Sequence, residues 1–360
     1  MAVATATPTS FEIQHDAFPP SPVPDHLGAE IIDIRLSRAS PLDLDSQTLE
    51  GLRQPYGSKF LPSLLLWDDK GKSLYGDILA TTHYYPYHVE NELLERKIHE
   101  IASVIASSGT DLVVELGSGN MHKTSLLLTA LDGCLDAPLV YYALDVDKIE
   151  LESCLLSLKK RTNLRHIELR GLLGTYEDGA AWLSRTEAHA LRKTLVWLGN
   201  SIANLTPPEA VELLGSFSKT SDDTKQNLAG ILLAVDGCQD ESLIECAYDT
   251  PGGQSRRWVK YVLEAARGLA GFGSAALLDD DNWRVEGRWD PIEQRYFNCL
   301  VAAKHLDGTM GGMEIQLRRG ERVQIIGSGK WTRSDVTNIC SQQGLDVVES
   351  WKSTAVDYGR

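Results

Sequence analysis

A glycine-rich turn, Gly117-Ser118-Gly119, follows the short apolar run 112–116. Glycines at the carboxyl end of a buried strand let the backbone turn tightly and let a ligand approach without interference from a Cβ atom. Such a turn suits a nucleotide or an adenosyl group. The third glycine of a G-x-G-x-x-G pattern is missing, which counts against a dinucleotide, and no G-x-x-x-x-G-K-[ST] sequence occurs.

A carboxylate ends the next apolar run, in the sequence Ala143-Leu144-Asp145. The carboxyl ends of parallel strands meet at one edge of a sheet, so Asp145 would lie where it can accept hydrogen bonds from two ribose hydroxyls. The alternative is an acidic residue that caps the next helix. Together, the turn and Asp145 indicate an adenosyl site more specifically than either does alone.

These groups must be positioned by a sheet, and the sequence predicts a doubly wound parallel one. Five apolar runs of strand length alternate with helical patterns. A longer amphipathic pattern over 89–105 precedes the first strand. The predicted strands are 112–116, 139–144, 166–169, 194–198 and 231–235. The predicted helices between them are 123–131, 149–159, 179–187 and 208–218.

Both ends of the chain depart from this alternating pattern. Residues 1–27 are rich in Ala, Thr, Ser and Pro, which is typical of a disordered arm, and 30–36 is expected to be the first ordered piece. After Gly237 the pattern indicates an α+β insert with antiparallel strands. Its predicted elements are a helix over 256–269 and strands over 283–289, 294–303, 313–318 and 322–326. A last helix over 333–343 and a strand over 346–351 would return to the sheet.

Composition and charge exclude several classes of function. The formal charge of −15 argues against a nucleic-acid partner, because a phosphate-backbone binder needs a basic face. The six cysteines lack metal-ligand spacing and indicate free thiols, with neither a disulfide framework nor a metal site. No apolar run reaches the length of a membrane span and no leader pattern begins the chain. We therefore expect a soluble, cytoplasmic protein without a membrane partner.

Several segments resemble the histidine-specific methyltransferase family. They are V-E-L-G-S-G-N-M-H-K-T (114–124), A-L-D-V-D (143–147), L-G-N-S-I-A-N-L-T-P (198–207) and A-Y-D (247–249). The family includes the bacterial enzyme that makes hercynine and the fungal 4-dimethylallyltryptophan N-methyltransferases. The resemblance implies S-adenosylmethionine (SAM) as the cofactor and an α/β fold, a Rossmann-like methyltransferase core with a second α+β substrate-binding domain. The core would comprise 91–237 and 331–360, and the second domain 28–90 and 238–330.

Taken position by position, the resemblance implies a cofactor site around the glycine turn. Gly117, Lys123 and Asp145 match the family's SAM contacts. The pair Thr175-Tyr176 matches a contact beside the adenine, in a stretch that is similar to the ergot-type enzymes. The cofactor-binding residues that the resemblance implies are Gly117, Ser118, Gly119, Lys123, Asp145, Thr175 and Tyr176.

Three residues match family positions that hold the α-amino and carboxylate groups of an amino-acid substrate: Tyr84, Asn204 and Tyr248. Each also has a structural interpretation. Tyr84 could be one of several packed aromatic residues, Asn204 could close the turn before the next helix, and Tyr248 could be a core tyrosine. The resemblance favours the substrate-binding interpretation for all three.

One departure from the family pattern concerns the side chain of the substrate. The family's histidine enzyme has a Glu that grips the imidazole, whereas this chain has Ile326 there, with Ser328 and Lys330 fixing the alignment. An imidazole against Ile326 would lose a charge-assisted hydrogen bond of roughly 1.5–3 kcal/mol, whereas an indole gains from apolar burial. Ile326 and Ser328 are therefore predicted to bind the substrate, and Ile326 favours a tryptophan-like side chain.

A second departure is Trp67, where the family usually has a Tyr near the methyl-accepting amine. Tryptophan cannot act as a base, but its π face could contact a sulfonium or a methylated ammonium. The predicted catalytic residues are Trp67 and Tyr84. The proton of the amine would leave through Tyr84, Asp68 or water, and no metal is required.

These patterns predict a SAM-dependent α-N-methyltransferase of secondary metabolism, such as alkaloid biosynthesis. Its substrate would be a small-molecule amino acid, tryptophan or a derivative such as 4-dimethylallyltryptophan, and it would act as a monomer or weak dimer. The rival within the family is a histidine Nα-methyltransferase that makes hercynine. A rival of another class is a non-catalytic scaffold with the same fold, and an NAD-dependent dehydrogenase is disfavoured by the missing third glycine.

Overall fold

The structure is a computed structural model that describes residues 2–5, 30–36, 43–119, 121–185, 187–218, 227–272, 276–354 and 356. In chain order its helices are α1 (Leu44–Arg53), α2 (Asp69–Leu79), α3 (Tyr85–Ser107), α4 (Met121–Asp132), α5 (Lys148–Arg161), α6 (Tyr176–Arg185), α7 (Pro207–Ser218), α8 (Glu241–Tyr248), α9 (Gln254–Arg267) and α10 (Arg333–Ser341). Its strands are β1 (Ala2–Thr5), β2 (Glu30–Asp33), β3 (Leu112–Leu116), β4 (Leu139–Asp145), β5 (Ile167–Leu173), β6 (Lys193–Trp197), β7 (Leu228–Leu233), β8 (Trp283–Asp290), β9 (Arg295–Ala302), β10 (Leu306–Met310), β11 (Met313–Leu317), β12 (Arg322–Gly329) and β13 (Asp346–Ser350).

Eight of these strands form one sheet, in the order β13-β1-β7-β6-β3-β4-β5-β2. The six strands from β7 to β2 are parallel, whereas β1 is antiparallel to both of its neighbours. The chain runs outward from β3 through β4 and β5 and then returns to β6 on the other side of β3, so the winding reverses between β3 and β6. Doubly wound sheets bind their ligands at the carboxyl edge of such a reversal.

The local sequence explains this core. Every residue of β3, β6 and β7 is buried, as expected for parallel strands covered by helices on both faces. The acidic exception in β3 is Glu115, whose carboxylate accepts hydrogen bonds from the hydroxyls of Thr124 and Tyr141. After β4, the Asp147 side chain caps α5 and so fixes where that helix begins.

A second unit lies beside the carboxyl edge of the main sheet. It consists of α1, α2, α8 and α9, a three-stranded antiparallel sheet in the order β12-β9-β8, and the hairpin β10-β11. Its hydrophobic core includes Trp258, Tyr296 and Leu300. Helix α3 joins the two units, because Tyr85 and Val89 belong to this core whereas the rest of the helix packs under the main sheet. Within the described residues, no helix is both long and apolar enough to cross a membrane.

The structure confirms the predicted α/β core and the second α+β unit. All five predicted strands are present, and α10 and β13 return to the sheet. Two expectations are wrong. Strand β2 pairs in parallel with β5, so Glu30–Asp33 belongs to the main sheet and not to the second domain. Ala2–Thr5 is a strand between β7 and β13 and not part of a disordered arm; the other residues of that predicted arm lie outside the described part of the chain.

Candidate active site

A cavity of about 90 Å³ lies where the carboxyl edge of the main sheet meets the second unit. Its wall is formed by Trp67, Tyr75, Ile78, Tyr84, Gly199, Asn200, Ser201, Asn204, Tyr248, Ser255, Trp258, Asn298, Ile326, Gly327 and Ser328. None of these residues has a charged side chain, so a charged ligand group would be met by neutral hydrogen-bond partners at the wall itself. Six residues predicted from the sequence are brought together here: Trp67, Tyr84, Asn204, Tyr248, Ile326 and Ser328.

Three aromatic rings form one part of this wall. Their centroids are 5.2 Å apart for Trp67 and Tyr75, 5.5 Å for Trp67 and Trp258, and 5.0 Å for Tyr75 and Trp258. Such edge-on and tilted contacts are the arrangements that aromatic pairs prefer. Ile78 and Ile326 add aliphatic surface. This part of the cavity is therefore suited to an apolar or aromatic group.

Hydroxyl and amide groups form another part of the wall. Tyr248 Oη lies 2.9 Å from Ser328 Oγ, and Asn200 Nδ2 donates to Ser328 Oγ at 3.3 Å. Tyr84 packs edge-on against Tyr248, and its hydroxyl lies 3.2 Å from that of Tyr75. Burial raises the pKa of Tyr75 and of Tyr84 well above the usual range of a phenol. Both hydroxyls therefore stay protonated and can orient a ligand, but neither can serve as a base.

A buried ion pair lies directly behind these groups. Lys330 Nζ is 2.8 Å from Asp236 Oδ2, and neither side chain has exposed surface. Lys330 also donates to Tyr248 Oη at 2.7 Å, and the Tyr85 hydroxyl donates to Asp236 Oδ2 at 2.6 Å. Burial lowers the pKa of Lys330 while Asp236 opposes that change, and burial together with Asp236 raises the pKa of Tyr248. A buried ion pair often adds little to the stability of the fold, because the cost of desolvating the two charges offsets their attraction. This pair instead supports the cavity wall, which it contacts through Tyr248.

The loop after β6 reaches the cavity through two left-handed residues. Gly199 has a φ of +80° and Asn200 a φ of 58°, and glycine and asparagine are the residues that adopt this region most readily. The backbone N–H of Asp236 donates to Asn200 Oδ1 at 2.8 Å. That bond leaves the amide nitrogen of Asn200 facing Ser328.

Arg295 holds the turn that carries Asn204. From β9, its buried guanidinium donates to the carbonyl oxygens of three consecutive residues, 203–205. These carbonyls close the short 3-10 turn Ser201–Asn204, where a helix end leaves acceptors without internal partners. The second unit thereby fixes the position of Asn204 in the first.

The glycine turn has the room and the polar groups that an adenosyl cofactor needs. Gly117 has a φ of +76°, and a Cβ atom added at Gly119 would have no heavy atom within 4 Å. Ser118 Oγ is buried without a hydrogen-bond partner among the described residues, and such a group calls for a ligand atom. Asp145 ends β4 at the same edge, and burial raises the pKa of its carboxyl group. The alternative role for Asp145, as the cap of the next helix, is taken by Asp147.

Lys123 lies at this edge but is held by another side chain. Its Nζ is 2.7 Å from Glu90 Oε2, and both side chains are buried. The other carboxylate oxygen of Glu90 accepts the backbone N–H of Gly199 at 2.8 Å. Lys123 therefore ties α4 to α3 and, through Glu90, to the loop that reaches the cavity.

Thr175 and Tyr176 lie at the start of α6, next to the glycine turn. The Thr175 backbone N–H donates to Asp178 Oδ2 at 2.9 Å, and Thr175 Oγ1 accepts the backbone N–H of Asp178 at 3.2 Å. The Tyr176 ring packs on Trp197, with centroids 5.0 Å apart. Its hydroxyl would lie 3.0 Å from a Cβ atom at Gly117, so Tyr176 forms one side of the turn.

One predicted site residue is misplaced, and several site residues were missed. Asp68 is not a proton acceptor at the cavity, because it caps α2 through the Gly71 N–H at 2.8 Å and accepts from Tyr261 Oη at 2.5 Å. The missed residues are Tyr75, Trp258, Asn200, Asp236 and Lys330. Asp236 lies shortly after the carboxyl end of β7, and Asp145 lies at the carboxyl end of β4. The same search for carboxylates at strand ends that identified Asp145 could therefore have identified Asp236.

A doubly wound sheet with a glycine turn, a carboxylate at the end of β4 and a cavity at its carboxyl edge has the architecture of a Rossmann-like methyltransferase. The chain belongs to the histidine-specific, SAM-dependent methyltransferase family, which matches residues 44–360. It is therefore an enzyme whose cofactor is SAM.

Three relatives illustrate the range of this family. The chain is 36% identical over 332 residues to the N-methyltransferase imqF of Aspergillus flavus, covering 92% of this chain and 87% of that protein. It is 32% identical over 323 residues to ergothioneine biosynthesis protein 1 of Neurospora crassa, covering 90% of this chain and 35% of that longer protein. It is 27% identical over 339 residues to the 4-dimethylallyltryptophan N-methyltransferase easF of Claviceps purpurea, covering 91% and 96%. These similarities make the chain a SAM-dependent N-methyltransferase.

Proposed function

We propose that this enzyme methylates the α-amine of L-tryptophan or of a tryptophan derivative such as 4-dimethylallyltryptophan, a step of alkaloid-type secondary metabolism. The observation that carries the proposal is the cavity wall, in which Ile326 accompanies Trp67, Tyr75 and Trp258 and no residue is charged. Burying roughly 200 Å² of indole surface contributes about 5 kcal/mol. An imidazole has less apolar surface to bury and finds no carboxylate among the lining residues.

The remaining groups of the wall suit the polar atoms of such a substrate. The indole N–H needs an acceptor, and Asn298 and Ser255 supply an amide and a hydroxyl in the same wall. We assign the α-amino and carboxylate groups to Tyr84, Asn204, Tyr248 and Ser328.

We assign the cofactor to Gly117, Ser118, Gly119, Lys123, Asp145, Thr175 and Tyr176. When bound, SAM supplies an electrophilic methyl group on a sulfonium. The α-amine must be neutral to accept it, and partial desolvation in an uncharged cavity lowers the pKa of an ammonium. Trp67 offers a π face to a cationic group and Tyr84 orients the amine, so their catalytic contribution is alignment in a closed site. The proton then leaves to water.

The rival substrate is histidine. It is favoured by the family's own description and by the Neurospora relative, which is named for ergothioneine biosynthesis. Ile326 opposes it, because the cavity wall lacks the carboxylate that would hold an imidazolium. The printed name of the Claviceps relative, by contrast, specifies a tryptophan derivative as the acceptor of that protein.

The test is to incubate the purified protein with SAM and, separately, tryptophan, 4-dimethylallyltryptophan and histidine, and to identify products by mass spectrometry. We expect Nα-methylated tryptophan or its prenylated analogue. Trimethylhistidine as the main product would overturn the proposal. Calorimetry with SAM and with S-adenosylhomocysteine tests the scaffold alternative, since a non-catalytic scaffold would bind neither. The matched control is Asp145→Asn, which at subsaturating SAM should lower turnover of every acceptor by the same factor and so excludes a contaminating activity.

A further inference from the structure

Four hydroxyl groups lie in a row along the polar part of the cavity: those of Tyr75, Tyr84, Tyr248 and Ser328. The hydroxyl oxygens of Tyr75 and Tyr84 are 3.2 Å apart, and those of Tyr248 and Ser328 are 2.9 Å apart. The rings of Tyr84 and Tyr248 stand edge-on to each other with centroids 5.5 Å apart, which brings the two hydroxyl pairs side by side. Every member of this hydroxyl row also lines the cavity.

The row receives hydrogen bonds from two groups that can only donate. Lys330 Nζ donates to Tyr248 Oη at 2.7 Å, and an ammonium has no acceptor capacity. Asn200 Nδ2 donates to Ser328 Oγ at 3.3 Å. The Asn200 amide is held in this orientation because its oxygen accepts the Asp236 N–H at 2.8 Å, while its nitrogen also faces the carbonyl oxygen of Gly329 at 3.4 Å.

Counting hydrogens shows what the row must offer a ligand. Four hydroxyls in a row carry four hydrogens and are joined by at most three hydrogen bonds, each of which uses one hydrogen. Outside the row, no acceptor contacts these hydroxyls in the part of the chain that the structure describes. At least one hydroxyl hydrogen therefore has no acceptor within the row and is available to a ligand in the cavity, whichever way the individual bonds point.

The ion pair contacts the row through Lys330, which donates to Tyr248. Lys330 bridges Asp236 Oδ2 and Tyr248 Oη, and Tyr85 donates to the same oxygen of Asp236. If Lys330 were absent, the Asp236 carboxylate would compete for the hydrogen of Tyr248, and the row would donate away from the cavity. With Lys330 in place, its hydrogen bond uses Tyr248 Oη as an acceptor and leaves the hydrogen of Tyr248 for Ser328 or for a ligand.

We propose that Lys330 and Asn200 are positioning residues that make the hydroxyl row an obligatory hydrogen-bond donor to the carboxylate of the amino-acid substrate. This inference rests on the proposed function, because it assigns one end of the cavity to the carboxylate of an α-amino acid. Of the two polar groups of such a substrate, only the carboxylate is acceptor-only. The uncharged wall thus binds an anion through neutral hydroxyls that are polarised by a cation behind them.

The test compares tryptophan with tryptamine, which lacks the carboxylate, in the wild-type enzyme and in Lys330→Met, Tyr248→Phe and the double variant. A charge-assisted hydrogen bond corresponds to about 10- to 100-fold in kcat/KM, so the wild type should prefer tryptophan by about that factor. Lys330→Met should raise the KM for tryptophan by a similar factor and leave the KM for SAM unchanged. The double variant should be no worse than either single variant, because the two residues act as one unit.

The matched control is Lys193→Met, which removes another fully buried lysine, one that donates to the His189 carbonyl away from the cavity. It should not change the preference for tryptophan over tryptamine. If Lys330→Met does not fold, as judged by its melting curve and SAM binding, Tyr248→Phe still tests the row, since it also should lose the preference.

Two results would overturn the inference alone. One is equal kcat/KM for tryptophan and tryptamine in the wild type, and the other is effects of Lys330→Met and Tyr248→Phe that multiply in the double variant. Both leave the methyltransferase activity on tryptophan intact, so the proposed function would stand. If a different amino acid proves to be the substrate, the same comparison is made with that acid and its decarboxylated amine. Failure to methylate any amino acid would end both the proposed function and the inference.

Discussion

Replacing Ile326 with glutamate should convert the enzyme from an indole acceptor toward an imidazole acceptor. Ile326 pairs with Asn298 through the β12–β9 ladder while its side chain lines the cavity, so the change alters the wall without removing a strand contact. A glutamate carboxylate beside an imidazole would form a charge-assisted hydrogen bond of roughly 1.5–3 kcal/mol. That gain corresponds to about 10- to 150-fold in kcat/KM for histidine.

The same substitution should penalise tryptophan. Loss of one buried isoleucine contact costs roughly 1.5–3 kcal/mol, and the new carboxylate would be desolvated by the aromatic wall of Trp67, Tyr75 and Trp258. The two effects act in opposite directions on the two substrates. The ratio of kcat/KM for tryptophan to that for histidine should therefore fall by about 10²- to 10⁴-fold.

Initial rates of S-adenosylhomocysteine formation, measured over a range of each amino acid at saturating SAM, give both kcat/KM values. Ile326→Gln is the matched control, because it introduces a side chain of the same shape as glutamate without the charge and should shift the ratio far less. A ratio in Ile326→Glu equal to that in Ile326→Gln would refute the reasoning, since it would mean that position 326 does not face the substrate's side chain.

Three other perturbations have defined outcomes. Asp145→Asn should weaken SAM binding by about 10- to 100-fold, as measured by calorimetry, because it removes a charged acceptor for ribose hydroxyls; unchanged affinity would mean that Asp145 does not contact the cofactor. Arg295→Met should lower the melting temperature and the kcat/KM for the amino acid but not the affinity for SAM, because the carbonyl groups of 203–205 lose their donors at about 1–3 kcal/mol each. Arg295→Lys should restore only part of both losses. An Arg295→Met variant equal to the wild type in both assays would show that the turn does not need these hydrogen bonds. Burial raises the pKa of Glu115 from 4.5 to about 7, so the folded state binds this proton more tightly than the unfolded state. The free energy of unfolding should therefore fall by up to about 3 kcal/mol as the pH rises from about 4.5 through 7. In urea unfolding, Glu115→Gln should lack this pH-dependent fall. Parallel curves of unfolding free energy against pH for the two proteins would contradict the prediction.

The central strands were predictable because a parallel strand covered on both faces is an uninterrupted apolar run. The edge strand β2 was not assigned to the sheet, since Glu30–Asp33 is short and pairs with β5, a segment far away in the sequence. Helix α2 was missed for a different reason. Its sequence, with Gly71 and Gly76, has weak helix propensity, and the helix is defined instead by the Asp68 cap and by packing of the second unit.

Site residues were predictable where a sequence motif identifies them, but not where only the three-dimensional fold brings them to the cavity. The resemblance to the family identified Tyr84, Asn204 and Tyr248, and all three line the cavity. Tyr75 and Trp258 lie on amphipathic helices, where an aromatic residue that lines a site has the same spacing as one that fills a core. The remaining part, the ion pair behind the hydroxyl row, joins residues 94 positions apart. Local patterns carry no signal for such a pair.

The central claim, that the cavity selects an indole over an imidazole, is tested most directly by a competition experiment. Tryptophan and histidine are supplied together at equal concentration with limiting SAM, and tandem mass spectrometry locates the methyl group in each product. We predict that Nα-methylated tryptophan accounts for most of the methyl groups transferred. Nα-methylated histidine as the predominant product would contradict the account.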